Sequence, residues 1–98
     1  MTRAVLSDAG NGRWRIEGEL DFSTVPAVWD QLELLIEQRH ELVLSLGGVQ
    51  RTNSAALALL VEALDQARRH GCRLRLEEVP GDLVDLARMS RCEQFLLA

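Results

Sequence analysis

Leu42-Val43-Leu44-Ser45-Leu46-Gly47-Gly48-Val49-Gln50-Arg51-Thr52-Asn53-Ser54 is the stretch that decides the fold. Its first five residues form a nearly unbroken apolar run. Such a run suits a central strand buried on both faces of a sheet. Gly47-Gly48 is expected to break the strand, and Val49 to Asn53 to form a loop. A long helix then runs from Ser54 to His70, and Gly71 is a natural residue for the position just past its end.

Reading outward toward the N-terminus, a second helix is expected from Asp21-Phe22-Ser23-Thr24 to about Gln38. Ser23 or Thr24 offers a capping hydroxyl, and Pro26 fits a first turn. At 100° per residue, Val25, Val28, Trp29, Leu32, Leu35 and Ile36 share one face, and Asp30, Glu33 and Glu37 the other. Before it, Arg13 to Leu20 alternates. Trp14, Ile16, Gly18 and Leu20 point one way, and Arg13, Arg15, Glu17 and Glu19 the other. That is the period of a strand with one face in water. Asn11-Gly12 marks a hairpin back to a short strand at Ala4-Val5-Leu6.

Toward the C-terminus, Cys72 to Glu77 reads as a strand, with Leu74 and Leu76 inward. Pro80-Gly81 turns the chain, and Asp82 is expected to cap a third helix ending near Ser90. Phe95-Leu96-Leu97 is expected to add an edge strand. Strands joined through helices lie parallel. The expectation is therefore α/β: one domain over residues 1–98, with a mixed, mostly parallel sheet of four to five strands. An N-terminal hairpin and about three helices complete it.

Ninety-eight residues suffice for one domain with its own core. The net charge of -4 argues against a nucleic-acid partner, because phosphate-backbone affinity needs excess positive charge. All 11 cations are Arg, which does not alter that balance. No apolar stretch approaches the roughly 20 residues of a membrane span, so direct membrane insertion is not expected. Two cysteines, Cys72 and Cys92, give no disulfide framework and no metal-ligand spacing. No nucleotide-binding, hydrolase or metalloprotease motif occurs. No cofactor is expected, and the chain is expected to be cytoplasmic.

In open α/β sheets, sites gather beyond the carboxyl ends of strands. Here that place is the loop ending in Thr52, Asn53 and Ser54. One of these residues serves as a helix cap; three together exceed what a cap requires. A hydroxyl at a helix start is also a favourable place for a phosphate. In the helical projection, Glu62, Asp65, Gln66 and Arg69 form an outer face, which Ala55, Ala58 and Leu59 continue beside Ser54. Alanines on a helix surface are ordinary, yet an apolar patch next to a loop of hydroxyls suits docking of a protein. His40 and His70 fall near helix ends and neither is placed to activate Ser54. A Ser54 nucleophile with Asp21 as acid would lack its base.

These residues resemble a STAS domain, the fold of sulfate-transporter tails and anti-sigma-factor antagonists. The resemblance rests on Gly18-Glu19-Leu20-Asp21, on Leu42 to Leu46, and on the hydroxyl-bearing loop entering an Ala/Leu-rich helix. Within that family, the small STAS subunit of the Mla-type ABC transporter is similar in three further stretches: Leu57-Ala58-Leu59-Leu60, Asp65 to Gly71 and Leu86-Ala87-Arg88. The resemblance implies a non-catalytic adaptor that docks on the ATPase of a phospholipid transporter maintaining outer-membrane lipid asymmetry. The permease would be reached through that ATPase, so the adaptor would lie peripherally at the inner membrane. The contact it implies involves Thr52, Asn53, Ser54, Ala55, Ala58 and Leu59. The antagonist branch implies another role. There Ser54, in Asn53-Ser54-Ala55-Ala56, would accept phosphate from a serine-kinase anti-sigma factor.

Overall fold

A computed structural model describes residues 3–91 of the chain. Cys92 and the strand expected at Phe95-Leu96-Leu97 lie outside the described residues. The elements are β1 (Ala4–Gly10), β2 (Arg13–Leu20), α1 (Val25–Gln38), β3 (Glu41–Thr52), α2 (Ser54–His70), β4 (Arg73–Glu77) and α3 (Gly81–Met89). The sheet order is β1-β2-β3-β4, antiparallel in the first pair and parallel in the other two. The hairpin turns on Asn11 (φ 56°) and Gly12 (φ 77°). Two successive positive φ values give the turn whose twist matches that of its strands.

Parallel crossovers are right-handed as a rule, and the two crossovers here step the same way across the sheet. Both helices therefore cover one face. The burial pattern agrees. Leu42, Leu44 and Leu46 of β3 are fully buried, whereas Val43 and Ser45 between them are only half-buried. The central strand is thus buried on one face, not two. Its apolar run reflects Val43 on the uncovered face, where Arg13 and Arg75 flank it in register. That face carries ion pairs of Arg13 with Glu77, Arg15 with Glu17 (3.6 Å) and Arg73 with Glu41 (3.7 Å). Exposed pairs of this kind add little stability.

The covered face is the core. Ile16, Leu20, Leu32, Ile36, Leu42, Leu44, Leu46, Leu60 and Leu83 are all fully buried there. Each such side chain contributes about 1.5–3 kcal/mol relative to exposure. Trp14 and Trp29 pack against this core half-buried, and Cys72 lies within it.

Gly47-Gly48 does not end β3. The strand continues to Thr52 because β2 continues beside it, pairing Gly18 with Val49 and Leu20 with Thr52. The glycines answer a different need. A Cβ on Gly47 would collide with the Glu78 carboxylate, and one on Gly48 would meet Glu17 Cγ at 2.6 Å. Both glycines let side chains cross the uncovered face, at a register shift between β2 and β3. Ser45 Oγ donates to Glu78 Oε2 there (2.8 Å), holding that carboxylate over Gly47.

Candidate functional site

β2 and β3 run parallel and end together, since Leu20 pairs with Thr52. Two turns into helices therefore stand side by side at one end of the sheet. The first spans Asp21 to Thr24. The Asp21 carboxylate accepts from Ser23 N (2.8 Å), Ser23 Oγ (2.6 Å) and Thr24 N (3.2 Å) through one oxygen, Oδ1. Thr24 is buried. Its hydroxyl donates to the Glu19 carbonyl (2.8 Å) and accepts from Asp21 N (3.0 Å). Thr24 thus occupies the cap position of α1 without capping it; its hydroxyl ties the turn to β2 instead. The Ser23 side chain lowers the Asp21 pKa below its ordinary 3.8, helped by the backbone amides of Ser23 and Thr24 and by the Thr24 side chain. Burial opposes the shift.

The second turn is simpler. Asn53 caps α2, its Oδ1 accepting from Ala55 N at 2.8 Å. With Asn53 as cap, Ser54 becomes the first helical residue, and its side chain is exposed. Thr52, half-buried, donates through Oγ1 to Asp82 Oδ2 (3.1 Å), which ties the end of β3 to the start of α3. Asp82 does not cap α3. Pro80 stands at the cap position, and its carbonyl accepts from Leu83 N and Val84 N, both at 3.1 Å. Asp82 lies in the first helical turn, where a negative charge is favourable.

The helical projection of α2 needs a correction at its first two turns. Ala58 is exposed as expected, but Ala55 and Leu59 are only 6% and 3% exposed. α2 lies on the sheet and packs against α1 on one side and α3 on the other. Its buried arc is therefore wider than the single stripe that contacts the sheet. Ala55 and Leu59 fall on a flank of that arc, among the buried residues. The outward line at the helix start is Ser54, Ala58 and Glu62. Ala55 and Leu59 leave the candidate surface, and Thr52, Asn53, Ser54 and Ala58 remain.

Phe22 was not singled out by the sequence reading. It stands on the first turn, between Asp21 and Ser23, with 72% of its surface exposed. An aromatic off the apolar face of α1, inside a run of capping residues, was the available signal.

His70 ends α2, about 24 Å along the helix axis from Ser54 at 1.5 Å per residue. Among the described residues no cluster of three or more metal-ligating side chains occurs. No helix among them is long and apolar enough to cross a membrane. Burial raises the Cys72 pKa, with nearby Arg39 opposing, so this thiol stays protonated near neutral pH.

The fold is thus two-layer α/β, with two hydrogen-bonded turns into helices and an exposed serine at one sheet end. The chain belongs to the STAS domain family: the family model described as "Mlab, STAS domain" matches residues 5–98. In fold it is similar to the anti-sigma factor antagonist SpoIIAA in its unphosphorylated form. That likeness has a TM-score of 0.72 at 14% identity, covering 95% of this chain and 84% of the other. No curated protein matches the sequence.

Proposed function

We propose that the protein is a non-catalytic adaptor that docks on the ATPase of an ABC-type phospholipid transporter maintaining outer-membrane lipid asymmetry. It would act in the cytoplasm, held at the inner membrane through the ATPase and its permease. The observation that carries the reading is the exposed line of Ser54 and Ala58 beside Thr52 and Asn53, in a chain whose whole length but four residues fits a family described as "Mlab, STAS domain". An exposed surface of mixed polar and apolar residues without a nucleophile's base suits contact with a protein.

The test is a tagged pull-down from solubilised native membranes, with partners identified by mass. An ABC ATPase and its permease are expected. Ala58→Glu should weaken their recovery, since it sets a charge into the contact at a position that the fold leaves exposed. Full recovery with Ala58→Glu would move the interface elsewhere, and absence of any ABC ATPase would sink the reading.

A second reading has its own support. Ser54 is exposed at the start of a 17-residue helix, where added phosphate of roughly -2 charge is favoured by the helix dipole. This is the reading of an anti-sigma-factor antagonist, with a serine kinase as partner. It predicts a mass increase of one phosphate on protein purified from its native host, lost in Ser54→Ala. No phosphorylated fraction under any growth or stress condition would exclude it.

A further inference from the structure

We infer that the outer edge of β1, with the flank of α1 beside it, is a contact between two copies of this chain, joined strand to strand across a two-fold axis at Leu6. The inference is independent of the docking reading above and uses a different part of the sheet.

The first observation is the edge itself. Among the described residues, β1 and β4 are the two edge strands of the sheet. β4 carries Arg73, Arg75 and Glu77 at alternate positions, and charge of this kind keeps an edge from pairing. β1 has no charged side chain from Ala4 to Ser7. Its pairing with β2 shows which backbone groups it offers. Glu19 N donates to the Arg3 carbonyl (2.8 Å), and Ala4 stands opposite Gly18. Alternation along an antiparallel ladder then turns the N–H and C=O of Val5 and Ser7 toward β2. Those of Ala4, Leu6 and Asp8 point off the sheet.

The second observation is the flank. Leu6 packs against the core from the covered face and lines a groove with Trp14, Gln31, Leu34 and Gln38. Ala27, Gln31, Leu34 and Gln38 follow one another at helical spacing, and all are exposed and uncharged. Leu34 is 56% exposed. The acids of α1, Asp30, Glu33 and Glu37, lie off this stripe by the same spacing.

The occupant follows from symmetry and charge. The outward-bonding residues Ala4, Leu6 and Asp8 are evenly spaced about Leu6. A second copy laid antiparallel, with Leu6 against Leu6, pairs Ala4 of each chain with Asp8 of the other. Every outward group of the three residues then finds a partner, as an isologous contact requires. The oppositely charged strand ends, Arg3 and Asp8, come together, and Leu6 and Leu34 of both chains share one apolar seam. With a net charge of -4, two copies repel each other least where the facing surface is neutral.

The test is sedimentation velocity of the full chain from about 1 μM to about 1 mM. A dimer is expected, with a Kd at or below about 100 μM. Leu34→Arg sets like charges into the seam and should raise the Kd at least about tenfold. Met89→Arg, at a residue 77% exposed on α3, should leave it unchanged. Ala4→Pro removes an outward N–H without breaking the β1–β2 ladder and should also weaken the dimer. Hydrogen exchange gives the strand-level readout: the Leu6 amide should exchange more slowly as concentration rises. A chain that stays monomeric to about 1 mM overturns the inference and leaves the edge open to a strand of another protein. So does a dimer that Leu34→Arg does not weaken, that Met89→Arg weakens equally, or that forms without slowing exchange at Leu6.

Discussion

The two turns at the shared end of β2 and β3 carry the same task, reversing an extended chain into a helix, and solve it differently. The Asp21–Thr24 turn is closed by a carboxylate, two hydroxyls and a tie to the preceding strand. The Asn53–Ser54 turn uses one side-chain amide. The heavily bonded turn presents an exposed Phe22, and the lightly bonded one an exposed Ser54. Side by side they present one exposed apolar side chain and one exposed hydroxyl residue. Neither turn alone distinguishes a helix start from a recognition site.

The comparison is broken most severely from beneath. Leu59 lies under the second turn at 3% exposure, among the core residues. Leu59→Asp is expected to cost at least about 3 kcal/mol, enough to threaten a small domain. Ala58→Asp, one residue away and exposed, should stay within about 0.5 kcal/mol of the wild type. Urea unfolding of both variants checks this. A stable Leu59→Asp would mean that the flank of α2 is open to solvent and that the first turns of the helix present an apolar patch after all.

That pair also marks how far the sequence could be read. One-faced periodicity located β2, α1, α2 and β4, whereas β3 was located by the apolar run Leu42 to Leu46, expected to be buried on both faces and found buried on one. Periodicity could not say which flank of α2 meets α1, because a helical wheel carries no neighbours. Ala55 and Leu59 were misread for that reason. Gly47-Gly48 was misread because glycine signals a break or a close approach alike, and only Glu78 and Glu17 passing over these residues distinguish the two. Ser54, Asn53 and Thr52 were legible because capping chemistry is local. Phe22 was not, since an aromatic beside an apolar helix face looks like core until the turn is seen to point it away.

The next largest effect lies in the first turn. Thr24 is the one buried polar side chain among the described residues, and its hydroxyl joins Glu19 to Asp21. Thr24→Val keeps the shape and leaves the Glu19 carbonyl and Asp21 N–H without that partner. A loss of about 1–3 kcal/mol is expected in denaturant unfolding. Thr24→Ser should recover most of it. The second turn should be less sensitive. Asn53→Ala removes one cap bond, for about 1 kcal/mol, while Asn53→Ser or Asn53→Asp should be nearly neutral. If Asn53→Ala proves the costlier of the two, the second turn is the more firmly held, despite its single side-chain bond.

The smallest effect separates the turns by pH. Asp21 is held ionised by the Ser23 side chain first and by the Ser23 and Thr24 amides, so its folded pKa lies below the ordinary 3.8. A carboxylate with a depressed folded pKa contributes stability that is fully present above the unfolded value. That contribution is lost as pH falls through the lower folded value. Asn53 carries no charge and contributes equally throughout. The difference in thermal midpoint between wild type and Asp21→Asn should therefore be constant near neutrality and shrink as pH drops below about 4. The difference between wild type and Asn53→Ala should not change over the same range. Comparing differences removes the other acidic groups, which titrate alike in each pair. A wild-type advantage over Asp21→Asn that persists at pH 2 would mean that the Asp21 bonds hold the turn in their neutral form. The first turn would then be fixed by hydrogen-bond geometry and not by charge, as the second already is.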